Sequence, residues 1–138
     1  MDPIRIRKAK ANFNTYRQDE LLKKVRVNNE ILNNFEHKAV ESLFVAQQLY
    51  KQDISSLWTV VTSYYAMFYI ASAYVYKCGY KTQHKIVHKI INDCLIVLAE
   101  KRLHLIEEYE SERYQSLQII ENLLDSFEYE RMKRSSFQ

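Results

Sequence analysis

ISSLWTVVTSYYAMFYIASAYVY, residues 54–76, is a run of 23 residues without a charge, and its reading decides the fold. At about 1.5 Å rise per residue, a helix of that length spans a bilayer. Five tyrosines (Tyr64, Tyr65, Tyr69, Tyr74, Tyr76) and six serines or threonines lie inside it. Tyrosine favours the membrane–water interface over the midplane, yet Tyr64 and Tyr65 fall in the middle of the run. A helix that is apolar on all sides also suits the centre of a bundle, where neighbours cover it. The run is therefore read as a buried central helix, with a single membrane span as the outside alternative.

On its N-terminal side, Asp53 or Ser55 offers a cap; on the other, Cys78-Gly79 ends the helix. Gly79 is the only glycine in the chain, and a left-handed helix C-terminus is where one is most useful. Upstream, Leu32, Phe35, Ala39, Leu43, Ala46 and Tyr50 recur in steps of three and four, one buried stripe of a helix over about 31–50. Downstream, Thr82 caps a third helix with the face Val87, Ile90, Ile91, Cys94, Leu95 and Leu98, and a fourth long helix covers about 101–131. Residues 15–26 suit a short polar helix with Thr15 and Gln18 in a capping-box pattern, and residues 1–12 a flexible arm. The division is thus a basic N-terminal arm with a short helix, 1–30, and a helical bundle, 31–138. Short connectors between long helices favour antiparallel neighbours. The expected fold is all-α, an up-and-down bundle of four to five helices.

Composition agrees with this. The 138 residues include one Gly and one Pro, which excludes tight primed hairpins and the glycine-rich loops that cradle phosphates. Net charge is +3, but residues 1–30 hold eight Lys/Arg against four Asp/Glu, so all the basic excess is N-terminal. Such an arm favours polyanions electrostatically, or simply keeps a terminus soluble. Cys78 and Cys94 form no spacing motif, and a chain with a helical core has little need of disulfides, so a reducing compartment is expected. MDPIRIRKAK lacks the apolar stretch of a signal peptide, which makes the cytoplasm the expectation. No cofactor and no metal centre is called for.

Two constellations carry chemistry. Lys77, Lys81, Lys85 and Lys89 recur every four residues, with His84 and His88 beside them. Stacked like charges on a helix cost about 0.2–0.5 kcal/mol per pair, which an anionic ligand such as a phosphate backbone would relieve; the plain alternative is a solvated face. The His pair has no third metal ligand nearby in sequence. The second constellation lies on helix four, whose seam runs Leu103, Ile106, Glu110, Arg113, Leu117, Ile120, Leu124, Phe127. A carboxylate and a guanidinium in an apolar seam cost desolvation unless well hydrogen-bonded. They fix the register of an interface, form a pocket where Arg113 meets phosphate, or reach solvent at the seam's edge.

SYYAMFYIASAYVYKCGYKTQHK (63–85) resembles the HEPN superfamily of small prokaryotic helical proteins, often encoded beside a minimal nucleotidyltransferase. The match is carried by Ser63-Tyr64-Tyr65-Ala66-Met67-Phe68, Ala71, Gly79 and His84, with the stripe Ala39, Ser42, Leu43, Ala46 and Leu49 similar to that family's first helix. The likeness covers about 32–118. It implies a four- or five-helix bundle that dimerises through its helices and, in active members, metal-independent RNA cleavage by an Arg followed four to six residues later by a His. Arg113, in YESERYQSLQ, stands at the motif arginine, but the positions open to the histidine hold Gln118, Ile119 and Ile120. Cleavage by the 2′-hydroxyl needs a general acid or base near neutral pH, the role of histidine; Gln118 cannot take a proton.

The expectation is a non-catalytic homodimer that binds a nucleotide, RNA or a partner nucleotidyltransferase, a toxin–antitoxin-like module. Candidate contacts are Arg113, with Glu110 and Gln118 beside it, Tyr65 from the aromatic motif, and Lys81, His84 and Lys85. Two alternatives stand: a ribonuclease toxin with a non-standard site, in which His84 or His104 substitutes in space, and a structural adaptor. The adaptor would join the lysine face to residues 100–130, which carry nine acids against three bases.

Overall fold

The computed structural model describes residues 2–83, 86–99, 110–119 and 121–122. The elements are α1 (Pro3–Gln18), β1 (Leu22–Lys24), α2 (Asn29–Lys51), α3 (Ser56–Lys77), β2 (Tyr80–Thr82) and α4 (Val87–Leu98), followed by a helical segment, α5, over 110–119. This is an all-α bundle with one small two-stranded sheet.

The charge-free run becomes α3. Ser55, not Asp53, caps it, its hydroxyl accepting from the Trp58 amide at 3.2 Å. Gly79 ends it at φ +93°, a conformation that a side chain would strain. Tyr64, Phe68, Ala71, Val75 and Tyr76 are buried, whereas Trp58, near its start, is exposed, so full burial begins only at Tyr64. Among the described residues no helix is long and apolar enough to cross a membrane.

α2 and α3 pack along their lengths as a hairpin. The α2 stripe is only partly covered: Ala39 and Ala46 are buried, but Leu43 and Tyr50, expected inside, are exposed. In α4, Ile90, Ile91, Cys94 and Leu95 are buried as the sequence suggests, and so are the polar Asn92 and Asp93.

The N-terminal segment differs from expectation. Residues 3–18 form a single helix, α1, opened by Pro3 in its first turn and capped by the Asp2 carboxylate on the Ile4 amide at 2.9 Å. Thr15 is no N-cap; its hydroxyl donates back to the Ala11 carbonyl inside α1. Ile6, Ala9, Phe13 and Tyr16 recur at helical spacing and enter the main core with α4. Instead of a mobile arm, this segment is part of the fold.

The region after Gly79 also differs. Thr82 lies in β2, which pairs antiparallel with β1 in the register Leu22↔Thr82, Lys23↔Lys81, Lys24↔Tyr80. This ladder joins strands distant in sequence, so it needs none of the tight turns that the lack of glycine excludes. α4 starts five residues later than Thr82, behind Ile86, which holds the left-handed conformation (φ 47°) without a side-chain cap.

Candidate functional site

Asp93 organises the site. It sits at 1% exposure in the middle of α4, and among the described residues its hydrogen-bond partners come from α1. Arg5 Nη1 donates to Oδ1 at 2.9 Å; the Tyr16 hydroxyl and Asn12 Nδ2 donate to Oδ2 at 2.7 and 3.2 Å. Residues 5, 12 and 16 lie on the α1 face turned to α4, because steps of seven and four return to the same side of a helix. Burial and the bond to Asp93 raise the Tyr16 pKa, so the phenol keeps its proton and remains a donor.

Arg5 ties α5 to the same cluster. Its Nε donates to Glu110 Oε1 at 2.9 Å, and that oxygen also accepts from Asn92 Nδ2 at 3.2 Å. Glu110 and Arg113 therefore do not simply neutralise one another along the seam. Glu110 serves α1 and α4, while Arg113 turns to α3 and α4.

Between these elements lies a pocket of about 350 Å³, lined by Arg5, Lys8 and Asn12 of α1, Lys89, Asn92 and Asp93 of α4, and Glu110 and Arg113 of α5. Two buried polar atoms in its wall, Asn92 Oδ1 and Arg113 Nε, have no hydrogen-bond partner among the described residues. An orphaned buried polar atom costs about 1–3 kcal/mol, and both of these belong to side chains that line the pocket.

Arg113 also meets an aromatic cluster on the α3 side. His88 stacks against Tyr64 with centroids 5.4 Å apart, lies 4.2 Å from Phe68 and meets Tyr65 edge-on at 6.0 Å. The Tyr64 hydroxyl is 2.5 Å from His88 Nδ1. Burial raises the Tyr64 pKa despite the opposing charge and hydrogen bond of Arg113, and burial together with Arg113 lowers that of His88. The phenol therefore keeps its proton, and beside Arg113 the imidazole is held in its neutral form, with Nδ1 engaged by the Tyr64 hydroxyl.

Of the residues expected from sequence, Arg113 and Glu110 line the pocket, and Tyr65 stands at the edge of the His88 cluster. Gln118 is exposed on α5 and does not line the pocket; Lys81 is exposed on β2 rather than on a helix, so the lysine ladder does not form one face. His84, Lys85, His104, Leu103, Ile106, Ile120, Leu124 and Phe127 lie outside the described residues. Sequence reasoning missed Arg5, Lys8, Asn12, Asn92 and Asp93. The Ile6/Ala9/Phe13/Tyr16 spacing was the available signal for α1, and Asn92-Asp93 inside an apolar helix was the signal for a buried polar centre. Among the described residues no three His, Cys, Asp or Glu side chains gather as a metal site. No family model, curated protein or solved structure matches this chain.

Proposed function

We propose that this protein is a HEPN-like helical homodimer that binds a phosphate-bearing ligand, a nucleotide or RNA, without cleaving it, through the pocket around Arg113. The supporting observation is the pocket itself: Lys8, Lys89 and Arg113 around two unpartnered buried atoms, with Arg5 already committed to Asp93 and Glu110. A planar guanidinium suits phosphate oxygens. The dimer part of the proposal draws on a separate apolar groove of about 470 Å³ between α2, α3 and α5, lined by Val40, Leu43, Met67 and Ile70, with Phe44 exposed beside it. Labelled single-stranded RNA and a nucleotide, titrated into wild type and Arg113→Ala, test the reading. Binding is expected to fall at least about tenfold in the variant, while the oligomeric state is unchanged. Equal binding removes Arg113 from the account, and no binding of either ligand favours a protein partner such as a nucleotidyltransferase.

One observation favours the ribonuclease reading: His88 lies beside Tyr64 and Arg113, where a motif histidine is missing from the sequence. Against it, His88 Nδ1 is already engaged by the Tyr64 hydroxyl, and Phe68 and Tyr64 pack against the ring. RNA cleavage lost in both His88→Gln and Arg113→Ala would establish the enzyme; intact RNA after prolonged incubation supports binding alone.

A further inference from the structure

We infer that the ligand of the Arg113 pocket is a phosphomonoester bearing a nearby hydroxyl, as in a nucleoside 5′-monophosphate, rather than an internal phosphodiester of a polynucleotide. The inference deepens the phosphate-binding reading and rests on it. Charge is the first argument. Arg5 is shared by two carboxylates, Asp93 and Glu110, which leaves this trio at −1. Lys8, Lys89 and Arg113 line the same pocket, which brings its wall to +2. A phosphomonoester carries about −1.5 to −2 at pH 7, whereas a diester carries only one negative charge per phosphate. The dianion matches the wall.

Hydrogen-bond polarity is the second argument. Arg113 Nε calls for an acceptor, which a phosphate oxygen supplies. Asn92 Oδ1 calls for a donor, which a fully ionised phosphate cannot supply. Asn92 is only 4% exposed, and its amide nitrogen is held by Glu110, which leaves its oxygen as the unmet group. A donor close to the phosphate would answer that oxygen, and a ribose hydroxyl fits.

Calorimetric titration with adenosine 5′-monophosphate, adenosine, inorganic phosphate and the diester adenylyl-3′,5′-adenosine tests this. A 5′-phosphorylated RNA oligomer beside its 5′-hydroxyl twin distinguishes a free nucleotide from an RNA end. The monophosphate is expected to bind at least about tenfold tighter than the diester or adenosine, and tighter than inorganic phosphate. Lys89→Glu, an exposed site where folding is not at risk, and Arg113→Ala should each weaken it at least about tenfold. Equal affinity for monoester and diester overturns the inference, as does monoester binding that neither variant moves. If RNA binds through Arg113 and the monophosphate does not compete, the inference falls while the binding function stands. If no phosphate probe binds, both fall.

Discussion

Asp93 has three donors to its two oxygens, and a buried carboxylate is tolerable only while they remain. Asp93→Ala leaves Arg5 and the Tyr16 hydroxyl without their partner, and urea unfolding is expected to show a loss of about 3–5 kcal/mol. Asp93→Asn, which keeps an acceptor for Tyr16, should lose less. Next to it, burial pushes the Cys94 thiol up to about 12, while Cys78 is exposed. Since the thiolate is the reactive form, a thiol reagent at pH 8 should count one cysteine in the native protein and two in denaturant. His88 gives a pH signature. Its folded pKa lies below the ordinary value near 6.5, so the unfolded chain takes the proton first as pH falls. Stability should therefore decline as pH drops from about 6.5 towards the folded pKa and then level off, and His88→Gln should remove that slope in urea midpoints. An unchanged slope would assign the effect to another group. Arg113 was legible in the sequence because a guanidinium stood in an apolar seam. Asp93 was not, because its partners lie 77 to 88 residues away.

Element boundaries follow the strength of their local signals. α3 could be read at both ends, from Ser55 to Gly79, since the absence of charge, a capping hydroxyl and a lone glycine agree. α1 could not, because its four core-facing residues are interleaved with Arg5, Arg7, Lys8, Lys10 and Arg17, and the charges dominate the pattern. β1 and β2 were invisible because each is three residues long and finds its partner only after α2 and α3 have turned back. Two backbone positions can be tested. An alanine Cβ at Gly79 would meet the Val25 carbonyl at an ordinary 3.6 Å, so Gly79→Ala should cost about 1–2 kcal/mol through its positive φ alone. Ile86 is the opposite case, an exposed β-branched residue in the left-handed region at an uncapped helix start. Ile86→Asn is expected to raise stability by about 1 kcal/mol in thermal melts, through easier backbone geometry and a capping oxygen. A lower melting temperature would show that the isoleucine side chain contributes contacts that outweigh the strain.

At the scale of the molecule, the described residues separate a polar pocket from a group of exposed apolar side chains. The pocket opens between α1, α4 and α5, while the exposed apolar residues Val40, Leu43, Phe44 and Ile70 collect on α2 and α3. Contiguous apolar surface of this kind marks association sites. Sedimentation velocity should show a dimer that Phe44→Glu converts to a monomer, with the phosphate pocket unaffected; a monomeric wild type would end the dimer proposal. The β1–β2 ladder has a consequence for the order in which this architecture is made. It closes the base of a helical hairpin whose contacts are local, so α2 and α3 can find each other early, at small loop entropy. α1 and α4 belong to opposite ends of that excursion, and the ladder draws residues 22 and 82 together beside them. Because non-local contacts are slow to form, the Asp93 network, whose partners lie 77 to 88 residues apart, is expected to form after the hairpin. A chain stalled before that step would already have its hairpin, and would not yet have a binding site.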